Sequence, residues 1–390
     1  MEGNDSSYSQ HISHREEESI SQSCVNYYWT YLYPRSDSRR VSIRPKVWRG
    51  NKNVLTRTRI YLSLVITLIH RLAPRTTSNG LQHIVDYWQN PSDSTGLLAP
   101  WPEDFSRDIV PIPCHSHNDY TRRVPLYNAL ALGCTGVEAD IFLRKDVNGS
   151  DILLVGHKSN SLKSDRSLQS LYLDPLMMIL ENQNQDKQFK TSNESVGAVG
   201  VFDTNANITL VLLIDFKSNG TELWPHVVDA LEPLRQKGWL THWNNASNKV
   251  TPGPLTVVGT GNTPFEAVLS NTTNRDIFFD APLNDISNPI YNSTNSYYAS
   301  VDMSKAIGTR WFGRFSSKQL DTIKAQISTA AEKGLKSRYW DTVGWPISWR
   351  DHTWNVLVNN GVGMLNVDDL VSSSRWNWDW CVVAGLVLCG

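Results

Sequence analysis

The chain has almost no net charge, few cysteines and no internal repeat. Lysine and arginine number 37 against 38 acidic residues over 390 positions, a formal charge of −1. A strongly basic face for a phosphate backbone is therefore lacking, and nucleic acid is not an expected partner. The five cysteines (Cys24, Cys114, Cys134, Cys381, Cys389) contain no CxxC pair and no zinc spacing. One disulfide between Cys114 and Cys134, or free buried thiols, are both open. No extended low-complexity region is present, and the length suits one large domain with an appendage. No protein partner is implied.

Long apolar runs are also missing. Ile60 to Ile69 is too short for a comfortable membrane span, but it follows Arg39, Arg40, Arg44, Lys46, Arg49, Lys52, Arg57 and Arg59. A basic stretch before a short apolar core fits a signal sequence or a marginal signal anchor. The long leader is unusual for a cleaved signal, so a type II anchor and a start codon upstream of a signal peptide both remain open. Downstream sequons at Asn148, Asn193, Asn207, Asn219, Asn245, Asn271 and Asn292 favour a secretory destination, secreted or membrane-anchored. At the other end, Ser372 to Ser374 and the apolar stretch from Cys381 faintly resemble a lipid-anchor signal of minimal length. A packed terminal segment is the alternative.

Four regions follow: a leader over 1–74, a neck over 75–109 with a short helix near Leu81 to Trp88, a main domain over 110–371 and a tail over 372–390. In the main domain, strand-length apolar runs alternate with segments of helical spacing, the pattern of β/α units and a parallel sheet. Eight strands are expected to end near His117, Asp140, Asp215, Gly259, Asp280, Asp302, Asp341 and Asn366. The run Ile152 to His157 follows a turn at Asn148-Gly149 and reads as a hairpin on the second strand. One helix is expected over Leu223 to Leu234 with Gly238 as its stop, another over Leu320 to Ala331 before Gly334. The fold class is α/β, a single TIM-type (β/α)8 barrel.

Chemistry-bearing residues sit at the ends of these runs. Glu138 and Asp140, two apart in a strand, project to the same side and would repel without a divalent cation. Asp215 ends another apolar strand and could complete a metal site; its hard oxygens suit magnesium or calcium better than zinc. Lys217 could hold a phosphate oxygen, or simply pair with Asp215. His117 and His157 each follow an apolar run and could serve as acid and base on a phosphodiester. His115 competes with His117, and strand facing cannot separate them. Asn118 favours His117, since its carbonyl would add a neutral ligand.

The order His117-Asn118, Glu138-Ala-Asp140, His157, Asp215-Phe-Lys217 resembles the PLC-like phosphodiesterase superfamily. Within it, Cys-His-Ser-His-Asn-Asp-Tyr from Cys114, Gly-Val-Glu-Ala-Asp-Ile from Gly136 and Leu-Asn-Val-Asp-Asp-Leu from Leu365 are most similar to the fungal altered inheritance of mitochondria protein 6 family. The resemblance spans about Val110 to Leu370. It implies a divalent metal at Glu138, Asp140 and Asp215, and acid/base catalysis by His117 and His157. It also implies Asn118 beside the metal, as in the phospholipase C branch, and Lys217 on the phosphate, as in the sphingomyelinase D branch. The His-Arg-Gly motif of glycerophosphodiester phosphodiesterases is absent and their third glutamate is Asp215 here, so fold kinship does not assign the headgroup. The family name points to mitochondria, whereas the acidic Glu16 to Glu18 do not suit a transit peptide.

The expectation is a metal-dependent phosphoric diester hydrolase acting on a glycerophosphodiester or phospholipid-type substrate, with a membrane surface as a further partner. Two other readings stand beside it. One is a barrel glycoprotein that has lost activity and binds. The other is a glycoside hydrolase, in which Trp311, Trp340, Trp345, Trp349 and Trp354 would stack on sugars; such enzymes need two carboxylates across a scissile bond and no histidine pair. The same tryptophans serve equally as core packing or a lipid-facing rim.

Overall fold

Apolar strands that are each followed by a helical return pair in parallel, and this chain builds one sheet that way. In the computed structural model the strands are β1 (Ile112–Ser116), β2 (Cys134–Lys145), β3 (Asp151–Val155), β4 (Leu210–Phe216), β5 (Leu255–Gly261), β6 (Ile277–Pro282), β7 (Ser296–Asp302), β8 (Lys336–Trp340) and β9 (Leu365–Val367). Eight run parallel in the order β8-β7-β6-β5-β4-β2-β1-β9. A parallel bridge from Arg338 to Met364 links the two ends, so the ring is nearly closed and has the architecture of a TIM-type barrel. The structure describes residues 79–91, 96–185 and 197–374, parts of 57–67, and the backbone of 382–383 and 386–387.

β3 is the exception in direction. It pairs antiparallel with β2 through a turn in which Asp146 Oδ1 accepts from the backbone of Asn148 and Ser150, and Gly149 takes φ 81°. The hairpin thus carries His157 back beside the second strand. Cys114 of β1 and Cys134, the first residue of β2, are joined by a disulfide with Cα atoms 4.8 Å apart, which resolves the two states left open above. The other three cysteines lie outside the described side chains.

Helix Ser317–Glu332 has a capping box between Ser316 and Gln319 and buries Ile323, Ile327 and Ala330. Such a cap contributes about 1 kcal/mol. The segment expected as one helix over Leu223 to Leu234 is two, Gly220–Ala230 and Glu232–Gln236, with the break at Leu231. Pro233 explains it: a proline ring clashes with a continuing helix and removes its N–H bond, so it is favoured in a first turn. The neck is no free linker. Its helix Gly80–Tyr87, capped by Asn79, buries Leu81 and Ile84 and packs against helix Tyr127–Ala131.

Residues 1–76 form a separate unit. Where described, the apolar run is helical over 60–65 and exposes Ile60, Tyr61, Leu62 and Leu64; the basic residues before Arg57 lie outside the described residues. No helix among the described residues is long and apolar enough to cross a membrane. Of the sequon asparagines, Asn193 lies outside the described residues; Asn148, Asn207, Asn219, Asn245 and Asn271 are exposed and Asn292 is half-buried. The tail beyond Ser374 is described only as a two-stranded ribbon, Val382–Val383 with Leu386–Val387.

Candidate metal and acid/base site

Strand period and register together assemble the carboxylates. Asp140 of β2 lies directly across from Asp215 of β4, and Glu138, two residues before Asp140, shares its face. Below them Val211, Leu213, Val258, Tyr298 and Met364 form a buried apolar cluster. Glu138, Asp140 and Asp215 each offer an oxygen, and these atoms all lie within 4.8 Å of one another. Asp140 Oδ1 and Asp215 Oδ1 are buried and have no hydrogen-bond partner among the described residues. Gly261 is part of this arrangement: it takes φ +66°, and a Cβ there would meet Asp215 Oδ1 at 2.0 Å.

Charge is unbalanced at this point. Lys217 Nζ lies 2.5 Å from Asp215 Oδ2 and 3.0 Å from Asp140 Oδ2. Three carboxylates against one ammonium leave two negative charges, which a single divalent ion would balance. Burial is the main reason that the Asp140 carboxyl is pushed up to about 6, with repulsion from Glu138 and Asp215 added to it. Burial also raises Asp215, against the opposing pull of Lys217. A hard-oxygen set with unpaired buried atoms and a raised proton affinity fits a divalent cation.

Two imidazoles flank the acids. His117 follows β1 and places Nε2 3.8 Å from Glu138 Oε2, while its Nδ1 lies 2.8 Å from Asp368 Oδ1, beyond the end of β9. Burial opposes its charge, but the hydrogen bond and charge of Asp368, with Glu138, outweigh that and raise its pKa. His157 stands on the other side, Nδ1 3.3 Å from Asp140 Oδ2, with 57% of its side chain exposed. It is held there because Gly156 N donates to Asp140 O at 3.0 Å. His115 is 0% exposed, with Nε2 3.8 Å from Glu138 Oε2, and burial lowers its pKa to about 4. The two candidates on β1, which facing could not separate, thus differ in depth: His117 is at the mouth and His115 is sealed beneath Glu138. Gly136 makes room for it, since a Cβ would meet His115 Nδ1 at 2.5 Å.

Asn118 has φ 48° and ψ 44°, a left-handed conformation that asparagine tolerates. That turn aims its backbone N–H at Glu138 Oε2, 3.1 Å away, and puts its Nδ2 3.3 Å from His117 Nε2. All seven principal candidates therefore gather where β1 and β4 end, beside the middle of β2 and the end of the β3 hairpin.

Four more groups belong to the site. The Tyr120 hydroxyl lies 2.7 Å from Asp140 Oδ2, 2.6 Å from Asn118 Oδ1 and 3.3 Å from His157 Nδ1. Arg338 of β8 is 3% exposed; it donates to Asn366 Oδ1 at 2.6 Å and sits 3.9 Å from Glu138 Oε2 and 3.8 Å from Asp280 Oδ2. Burial alone would raise the Glu138 carboxyl, but neighbouring His115, Arg338 and His117 together hold it well below the usual range. Asp280, by contrast, is raised by its burial. Arg122 ties the mouth together, donating to the backbone carbonyls of His117, Val367 and Asp368. Tyr120 and Asp368 stand inside motifs already singled out and Asp280 is an expected strand end, whereas Arg338, on β8, has no signal in the sequence.

A family model described as an AIM6-like phosphodiesterase domain matches residues 103–280. An altered inheritance of mitochondria protein 6 homolog from Arthroderma benhamiae is 42% identical over 279 residues, covering 69% of this chain and 85% of that protein. Proteins named altered inheritance of mitochondria protein 6 are 31% identical in Eremothecium gossypii, over 70% of this chain and 71% of that one, and 32% identical in Lachancea thermotolerans, over 72% and 71%.

Proposed function

The chain belongs to the altered inheritance of mitochondria protein 6 family, and from that footing we propose that it is a metal-dependent phosphoric diester hydrolase acting on a glycerophosphodiester or phospholipid-type substrate. The observation that carries this reading is the convergence of Glu138, Asp140 and Asp215 within 4.8 Å, with an imidazole on either flank. Those three carboxylates would hold a magnesium or calcium ion, with Asn118 as a neutral neighbour. Bound there, the ion supplies positive charge to a nonbridging phosphate oxygen.

The protein's own groups then divide the proton transfers. His117, with Nδ1 engaged by Asp368, presents Nε2 as the base for water or for a neighbouring hydroxyl of the substrate. His157, open to solvent beside Asp140, protonates the departing alkoxide. Lys217 contributes a point charge for a phosphate oxygen lying next to the acids. Hydroxyl attack releases a cyclic phosphate first, and water attack a monoester. The disulfide and the exposed sequon asparagines support a secretory destination.

The test is turnover of a generic aryl phosphodiester by the full chain and by Glu138→Gln, with and without chelator. The reading expects chelation to abolish turnover, added magnesium or calcium to restore it, and Glu138→Gln to lower it by about 10²-fold or more with the fold intact. Chelator-resistant turnover in Glu138→Gln would remove the metal site from the account.

A further inference from the structure

Large apolar side chains clustered in water usually mark a surface that meets something. Trp311, Phe312, Trp345 and Ile347 are each more than half exposed, Trp311 at 80% and Trp345 at 79%. Trp311 and Phe312 lie in the connection after β7, and Trp345 and Ile347 in the connection after β8, which pairs with β7 along its whole length. Both connections leave the C-terminal ends of their strands, the end of the barrel that carries His117 and Lys217.

The two loops form one rim. Gly313 abuts helix Ile347–Asn359 so closely that a Cβ would meet the Trp349 ring at 2.5 Å. Arg310 Nη1 donates to Thr353 Oγ1 of that helix at 2.6 Å. Between Trp311 and Gly313, Phe312 takes φ 50° and ψ 36°, a left-handed conformation uncommon for an aromatic residue, while its ring stays 77% exposed. The helix is also tied to the candidate site: Arg350 Nη1 donates to Asp369 Oδ2 at 2.6 Å, and the preceding residue, Asp368, holds His117.

The β7 connection is basic, whereas the β8 connection carries Asp341 and Asp351. From Met303 to Leu320 the chain contains Lys305, Arg310, Arg314 and Lys318 and no acidic residue, although the whole chain is nearly neutral. Lys305, Arg314 and Lys318 are exposed. Aromatic and aliphatic tips next to basic groups match the boundary of an anionic bilayer, where indole rings sit at headgroup depth and cations meet phosphates.

We propose that this rim docks the protein on an anionic phospholipid membrane, with Trp311, Phe312, Trp345 and Ile347 entering the interfacial layer and Arg314 and Lys318 contacting the headgroups. The docked pose turns the C-terminal mouth of the barrel toward the lipid. Docking requires neither the metal nor the histidines, so it stands apart from the phosphodiesterase reading.

The experiment is co-sedimentation of the full chain with vesicles of phosphatidylcholine alone and of phosphatidylcholine containing phosphatidylserine, alongside turnover of a soluble aryl phosphodiester. Every variant keeps the same N-terminal residues, so their contribution is common to all. The parent chain should prefer the phosphatidylserine vesicles. Trp311→Ser with Phe312→Ser should lower partitioning by about tenfold or more. Arg314→Glu with Lys318→Glu should remove the preference for anionic vesicles and its salt sensitivity. Soluble turnover and the thermal melt should stay unchanged in both. Equal partitioning of the aromatic variant and the parent would overturn the proposal, as would equal parental binding to both vesicle types. A dimer of the parent that those aromatic substitutions convert to monomer would also overturn it, assigning the rim to a second copy of the chain.

Discussion

Asp368 Oδ1 lies 2.8 Å from Nδ1 of His117, on the opposite side of the ring from Nε2, which faces Glu138. A carboxylate in that position fixes the ring proton on Nδ1 and leaves Nε2 to accept. Asp368→Asn should lower kcat by about 10- to 10²-fold with little change in KM. It should also move the acid limb of the kcat profile to lower pH, because the raised His117 pKa depends on that carboxylate. A fall in kcat with an unmoved acid limb would reduce Asp368 to a structural contact.

Tyr120 reaches three site residues through one hydroxyl, with Asp140 Oδ2 at 2.7 Å. Its pKa is driven far up by burial and by the Asp140 charge, so it stays a neutral donor over the working pH range. Tyr120→Phe keeps the ring and deletes the donor. Turnover should fall about tenfold, the size of one hydrogen bond to a charged group, while the melting temperature moves by only a few degrees. Steady-state kinetics beside a thermal melt check both.

His115 gives a pH signature of folding. Burial lowers its pKa from 6.5 to about 4. At neutral pH neither state holds the proton and the group contributes no penalty. As pH falls from 6.5 toward 4 the unfolded chain binds a proton that the native site refuses, so stability is lost across that window at up to about 1.4 kcal/mol per pH unit. Urea titrations through the window should show a shallower loss in His115→Gln. Parallel slopes would exclude this imidazole as the source.

Much of the site could be read from the chain because its geometry is local. Glu138 and Asp140 share a face by the two-residue period of a strand, and Asp215 joins them because consecutive β/α strands pair in parallel and in register. The strand ends expected near Asp215, Gly259 and Asp280 lie within two residues of the observed ends, whereas the second strand runs past Asp140 to Lys145, because Ile141 to Leu143 continue it into the hairpin with β3. The hairpin at Asn148-Gly149 was equally legible, a turn signal flanked by apolar residues. The remainder depends on ring closure. Arg338 meets Glu138, and Asp368 meets His117, only because β8 and β9 close back toward β1, and no spacing in sequence records that contact. Depth separates His115 from His117, and depth is a property of the barrel rather than of the strand. The break at Leu231 follows from Pro233, which the apolar spacing of Leu223 to Leu234 does not register.

The proposed chemistry requires that carboxylates from β2 and β4 hold one divalent cation between them. Calorimetric titration of magnesium and of calcium into the full chain, compared with Asp215→Asn, tests it most directly, because it reads the ion and not the reaction. One site per chain is expected, weakened by about 10²-fold or more when Asp215 loses its charge. An Asp215→Asn chain that binds the ion with parental stoichiometry and affinity would contradict it.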